Sequence, residues 1–362
     1  MKPSKALHDR GQSLWLDNVT RDMLNSGTLQ AYIDDFSVTG LTSNPTIFDH
    51  AIRNSSAYDE AIARKASSVR STEKLFFELA MEDLSRAAAL FEPVFARTDG
   101  VDGWVSLEIS PLLARDTNHT LASARYLHGR AGKPNLFIKI PGTAEGLPAI
   151  EDAIFAGVPV NVTLLFSPEQ YLAAAAAYLR GVERRIEAGL NPAVESVASI
   201  FISRWDAAVA GSVPGELTNR LGLAVAQRCY KAFRELLASD RFQRAANGGA
   251  RAQRLLWAST GTKDPRASDT LYVKSLAAPF TINTVPEATL RAFADHGEVG
   301  EALAPNGGDS EKVLAAFAAA GIDIAALASR LQDEGASAFI KSWNDLMACI
   351  AAKSGTILAA RF

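Results

Sequence analysis

Lys139 stands inside an otherwise apolar run, "NLFIKIPGTAEG" (135–146), between Ile138 and Ile140. A lysine ammonium is expensive to remove from water unless it is paired or gives up its proton. The unprotonated amine is a nucleophile that condenses with carbonyls to a Schiff base. A Schiff base is an electron sink, and it permits cleavage of a neighbouring carbon–carbon bond. That chemistry also needs a carboxylate to move a proton at the cleaved hydroxyl and a second acid/base group for the water of imine formation. Two carboxylates sit in comparable apolar runs: Asp17 in "SLWLDN" (13–18) and Glu108 in "GWVSLEIS" (103–110). Together the three residues predict a shared polar cavity. The competing expectation is an ion-pair network inside a core, for example a simple Asp17–Lys139 salt bridge, because structural networks perturb buried groups as well.

Such residues must be carried on elements that converge. Eight short apolar runs alternate with longer stretches of helical period: 13–18, 38–45, 103–110, 136–142, 158–166, 196–203, 254–260 and 280–286. The runs are continuous in apolarity rather than alternating, as in strands buried on both faces. The intervening segments carry helix signals. In "SPEQYLAAAAAYLRGVERRIEAG", Ser167 is an N-cap, Pro168 suits the first turn, Gln170 completes a capping box and Gly189 ends the helix. In "TEKLFFELAMEDLSRAAALFEPVF", Leu75, Leu79, Leu84 and Phe91 share one face. This order predicts an α/β fold, a single (β/α)8 TIM barrel with extra helices at the termini, spanning 1–362 as one catalytic domain. Helices from about residue 287 pack on that barrel, and Phe339, Trp343, Leu346 and Ile350 mark a packing helix rather than a functional one. A doubly wound sheet would carry a Gly-rich dinucleotide turn after its first strand, and "WLDN" is not one.

In such barrels the active site forms at the C-terminal strand ends. Polar residues recur there: Thr42, Ser43 and Asn44; Asn161 and Thr163; Ser199, with Arg204 just beyond; Ser259 and Thr260; Asn283 and Thr284. "GTAEG" (142–146) has the wrong spacing for a nucleotide phosphate loop and reads as a strand-to-helix turn with Thr143 as N-cap.

Composition narrows the remaining choices. The 362 residues are 48% hydrophobic and 21% charged with a net charge of −3, a globular balance with no basic bias towards nucleic acid. The longest apolar stretch, "YLAAAAAYL", is too short to span a bilayer, and the start has no apolar run of signal-peptide length. Only Cys229 and Cys349 are present, and the five histidines form no metal-ligand spacing. These features predict a cytoplasmic protein without disulfide, membrane span or metal. Monomer and homodimer fit equally.

The motifs "GQSLWLDNVTRD" (11–22), "TSNPTIF" (42–48), "IKIPGTAEG" (138–146), "VNVTLLFS" (160–167) and "NTVPEATL" (283–290) resemble the transaldolase family, in particular its longer bacterial branch, over most of the chain. The resemblance implies that Lys139 is the Schiff-base lysine, Asp17 the acid/base for the hydroxyl, and Glu108 with Thr163 the pair that handles the catalytic water. It implies that Asn44 and Asn161 orient a dihydroxyacetone unit, and that Ser199, Arg204 and Ser259 lie near the substrate phosphate. The shorter branch tends to carry an arginine where this chain has Gly261; Lys263, two residues on, is the expected second phosphate contact. The implied reaction transfers dihydroxyacetone between sugar phosphates, from sedoheptulose 7-phosphate to glyceraldehyde 3-phosphate, with no metal or organic cofactor. Two rivals are a class I aldolase that releases free dihydroxyacetone and a barrel that only binds sugar phosphates. Related aldolases tend to have a tyrosine in place of Glu108, and a binding module needs no lysine nucleophile.

Overall fold

The computed structural model describes residues 2–66, 69 and 71–359. Among them are eight strands: β1 (Gln12–Asp17), β2 (Val38–Thr42), β3 (Trp104–Glu108), β4 (Leu136–Pro141), β5 (Val160–Leu165), β6 (Ser196–Phe201), β7 (Arg254–Ala258) and β8 (Thr281–Val285). They close into a barrel in sequence order, β8 pairing with β1, and the pairs are parallel. Every predicted run overlaps one of these strands, and all but the first, which starts one residue late at Ser13, contain it whole. The runs overshoot at the C-terminal end, into strand-end residues such as Ser43, Asn44, Ser259 and Thr260 that lie beyond the paired backbone.

Closure explains the unbroken apolarity. Successive side chains in a strand point to opposite faces. One set faces the barrel axis and the other lies beneath the outer helices, so neither meets solvent. The helix Thr72–Arg97 buries Leu75, Leu79, Leu84 and Phe91, the face its period predicts. The helix Pro168–Glu187 starts on Ser167, whose hydroxyl accepts from the Gln170 amide nitrogen at 3.2 Å. The expected capping box is shifted, because the Gln170 side chain reaches back to the amide of Phe166 at 2.7 Å instead of that of Ser167. Thr143 accepts from the Gly146 amide at 3.1 Å and donates to the Ala114 carbonyl at 2.6 Å, so "GTAEG" is the turn expected of it. A Cβ on Gly146 would lie 2.0 Å from the Pro141 carbonyl oxygen, which only glycine avoids.

The N-terminal end of the barrel is plugged. Arg254, buried, donates to Ser13 Oγ at 2.6 Å and to the Thr281 carbonyl at 3.1 Å, and faces Asp102 at 3.5 Å. The Trp15 indole N–H also reaches Asp102, at 2.9 Å. Above this pair Trp104 and Phe137 stack with centroids 4.0 Å apart. The filling leaves the C-terminal end as the place where a ligand can enter.

Three further helices follow β8: Glu287–His296, Ser310–Ala319 and Ile324–Ala359. The last is anchored by Trp343, which packs edge-on against Phe76, and by a bond from Thr46 Oγ1 to Ser342 Oγ at 2.9 Å. Gln332 in its first half donates to the carbonyls of Leu164 and Gly142, at 2.9 and 3.2 Å. The helix therefore lies against the C-terminal ends of β4 and β5. Among the described residues no single helix is long and apolar enough to cross a membrane.

Candidate active site

The backbone register sets the central row. Glu108 on β3 is the Cα partner of Lys139 on β4, and Lys139 is the partner of Asn161 on β5. Neighbours in one row point to the same face, so the barrel's own hydrogen bonds carry these three side chains to its axis together. Lys139 Nζ lies 3.4 Å from Glu108 Oε2 and donates to the Ser43 carbonyl at 3.2 Å. The lysine thus pairs with Glu108, and Asp17 is too far for the salt bridge weighed from the sequence. The physical reason is register: β3 adjoins β4, whereas β1 stands across the barrel.

Glu108 and Thr163 are both buried, and apart from the ion pair to Lys139 neither the Glu108 oxygens nor Thr163 Oγ1 has a hydrogen-bond partner in the protein. Burial pushes the Glu108 carboxyl above the usual carboxylate range, against the opposing pull of the Lys139 charge. Asp17 is open only to the cavity, and desolvation raises its carboxyl likewise, opposed by Lys139, by a bond from Thr42 and by Lys263. Thr42 Oγ1 donates to Asp17 Oδ1 at 2.8 Å and sits 2.8 Å from Thr284 Oγ1. Thr42 has one proton, so Thr284 must be the donor in that second contact. The relay orients Asp17 without neutralising it.

A cavity of about 340 Å³ opens at this end of the barrel. Asp17, Asn44, Lys139, Thr163, Ser199, Arg204, Ser259 and Lys263 all line it. Asn44 caps the helix Pro45–Asn54, its Oδ1 accepting from the Ile47 amide at 3.1 Å, which leaves its side-chain N–H2 for the cavity. Asn161 is placed differently from the expectation of a substrate-orienting amide. It is fully buried inside the barrel beneath the cavity surface, accepting from Ser199 at 2.7 Å and donating to Ser106 at 3.1 Å. Ser199 is the member of that pair that reaches the cavity surface.

The far wall is cationic. Arg204 follows β6 in the short helix Ser203–Val209 and, among the described residues, has no hydrogen bond or ion pair. Desolvation lowers its pKa, opposed by the more distant charge of Glu334, as for a sheltered cation with no direct ion pair. Lys263 is exposed at the rim. Its Nζ lies 3.9 Å from where a Cβ on Gly261 would stand, so the amine fills the place a longer side chain at 261 would cross. Ser259 bonds Ser203 at 2.9 Å from a left-handed backbone conformation, φ +55°. Such a conformation in a non-glycine residue costs roughly 1–3 kcal/mol and tends to collect at functional sites. The cavity thus has two ends, an acid–base end at β1, β3 and β4 and a cationic end after β6 and β7.

Several lining residues lay outside the sequence-based selection. Thr42 and Thr284 stand in the strand-end motifs, and nothing in their sequence context singles them out. Phe339, assigned to a packing helix, also lines the cavity, which corrects that expectation. Helical period signals a buried face but not what lies opposite it. Among the described residues no group of three or more His, Cys, Asp or Glu side chains could hold a metal ion.

Residues 14–350 match the family model described as Transaldolase/Fructose-6-phosphate aldolase. The chain is 45% identical over 350 residues to a protein named Transaldolase from Saccharopolyspora erythraea, with 95% of each chain covered. It is 44% identical over 354 residues to a Transaldolase from Thermobifida fusca, covering 95% of this chain and 96% of that one. A Transaldolase from Mycolicibacterium smegmatis is 42% identical over 351 residues, covering 94% and 95%.

Proposed function

The chain belongs to the transaldolase and fructose-6-phosphate aldolase family, and from that premise we propose that it is a transaldolase of the non-oxidative pentose phosphate pathway. It moves a dihydroxyacetone unit from sedoheptulose 7-phosphate to glyceraldehyde 3-phosphate, giving erythrose 4-phosphate and fructose 6-phosphate. The observation that carries this reading is the buried Glu108–Lys139 pair at the C-terminal strand ends, with Lys139 lining the same cavity as Asp17.

The positions support the following steps. Lys139 passes its proton to Glu108, 3.4 Å away, its amine attacks the donor carbonyl carbon, and the carbinolamine hydroxyl takes that proton back as it leaves as water. Glu108 and Thr163, whose buried oxygens have unfilled hydrogen-bonding capacity, guide the water that leaves as the imine forms. Asp17, held by Thr42, takes the proton from the hydroxyl next to the scissile bond. The carbon–carbon bond breaks, its electron pair moves into the protonated imine to give an enamine, and the aldose phosphate departs. The enamine then attacks the acceptor aldehyde, and Asp17 returns the proton to the new hydroxyl. Water hydrolyses the imine and frees Lys139. Asn44 and Ser199 orient the dihydroxyacetone unit, with Asn161 holding Ser199. Arg204, with Lys263 and Ser259, receives the phosphate, which lies at the sugar end remote from the carbonyl. We place the enzyme in the cytoplasm, whose reducing conditions suit its two unpaired, buried cysteines.

Borohydride reduction in the presence of fructose 6-phosphate tests the mechanism: a dihydroxyacetone-derived mass is expected on the peptide containing Lys139. Label on another lysine, or on none, would overturn it. Turnover that requires glyceraldehyde 3-phosphate identifies the transferase, whereas release of free dihydroxyacetone without acceptor would make the enzyme an aldolase.

A further inference from the structure

Resting on the assignment of Arg204 to the phosphate, we infer that Phe339 and Gly335 of the C-terminal helix are positioning residues that preset this arginine for its ligand. The guanidinium carbon of Arg204 lies 5.1 Å from the centroid of Phe201 and 5.8 Å from that of Phe339. The two rings are 6.4 Å apart and inclined by 60°. Phe201 comes from the end of β6, three residues before the arginine, and Phe339 arrives from Ile324–Ala359. Aromatic faces attract a guanidinium through their quadrupole and occupy none of its five N–H donors. Among the described residues, the carboxylate acting on Arg204 electrostatically is that of Glu334, itself 3.6 Å from Arg330. The rings thus locate the cation laterally and leave its donors free, which an acidic partner would not do.

The helix is held in the register this requires. Gln332, Gly335 and Phe339 are spaced i, i+3 and i+7 and share one face. Gln332 ties that face to the carbonyls of Leu164 and Gly142. Leu164 itself sits at φ +60° within the irregular stretch of β5 between Val162 and Leu165. At Gly335 an added Cβ would stand 2.9 Å from Leu164 Cδ2 and 3.1 Å from Arg204 Nη1. The missing side chain is therefore the space the guanidinium occupies. A ligand that finds Arg204 already placed avoids the cost of ordering it.

The test measures discrimination between fructose 6-phosphate and unphosphorylated fructose as donors, together with competitive inhibition by inorganic phosphate. Phe339→Leu and, separately, Gly335→Ala should lower the ratio of the two kcat/KM values by about 2–13-fold, the range for freeing one long side chain. The inhibition constant for phosphate should rise by the same factor, and Phe339→Tyr, which keeps a ring, should restore both. In an Arg204→Ala background Phe339→Leu should change the ratio no further, because its effect passes through the arginine. An unchanged ratio in both single variants, or an equal fall with and without Arg204, would overturn the inference while leaving the phosphate assignment intact. If Arg204→Ala alone leaves the ratio unaltered, the phosphate assignment fails and this inference with it.

Discussion

Replacing Lys139 by methionine keeps an unbranched side chain one atom shorter and removes its charge, which isolates what the ammonium does for the two carboxylates. Lys139 and Glu108 are only 7% and 4% exposed, at 3.4 Å. Removing one partner of a buried pair costs about 3–5 kcal/mol when the other stays ionised. Glu108 has an escape, since it can take up a proton. That costs about 1.4 kcal/mol for each pH unit above an ordinary carboxyl value near ~4.3, hence about 1 kcal/mol at about pH 5 and about 5 kcal/mol at about pH 8. The smaller cost decides at each pH, so Lys139→Met should lose about 1 kcal/mol of stability at about pH 5 and about 3–5 kcal/mol at about pH 8. The sign follows from linkage. Burial already holds the folded-state pKa values of Glu108 and Asp17 above their unfolded values, with Lys139 opposing it. Groups raised in this way favour the fold below the unfolded pKa, and that contribution is lost as pH rises through the folded one. Without Lys139 the folded values climb further, and the loss with rising pH grows. Urea unfolding at the two pH values, followed by tryptophan fluorescence, measures it. Adding Glu108→Gln to Lys139→Met should recover most of the loss at the higher pH. An equal loss at both pH values with no recovery would refute the electrostatic account and leave Lys139 as a packing residue of the wall.

Three more outcomes are expected. Asp17→Asn should permit imine formation but suppress carbon–carbon cleavage by about 10²–10⁴-fold, because an amide cannot accept the hydroxyl proton; uncleaved donor trapped on Lys139 is the signature, and near-normal turnover would remove Asp17 from the mechanism. Glu108→Gln should slow imine formation and hydrolysis, read as the rate of borohydride-trappable adduct and of its decay, and full rates in both would assign the glutamate to structure. Lys263→Ala should raise the KM for phosphorylated donors by no more than about 5-fold, as fits an exposed point charge, and by less than Arg204→Ala does; a larger effect than that of Arg204→Ala would reverse their ranks.

What the sequence determined by itself was the set of strands and the polarity of their ends. Strands buried on both faces must be apolar throughout, so eight such runs between amphipathic helices already describe a closed barrel. The same rule makes Lys139, Glu108 and Asp17 conspicuous, because a charge in such a run needs a counter-charge or a cavity. Which groups meet was decided by the tertiary structure. Lys139 pairs with Glu108 because β3 and β4 are adjacent and in register, a relation that closure sets and composition does not record. Asn161 stands in the same row yet is closed off from the cavity by Ser199, whose hydroxyl donates to it from the neighbouring strand. The buried Arg254 and Asp102 are 152 residues apart and meet only because the barrel closes over them. Phe339 shows the limit most directly. Its helical spacing predicts burial, and it is buried, but the period is the same whether the face opposite is a leucine or an arginine. Hydrophobic pattern reports exclusion from water, and only the docking of the C-terminal helix determines which groups share that exclusion.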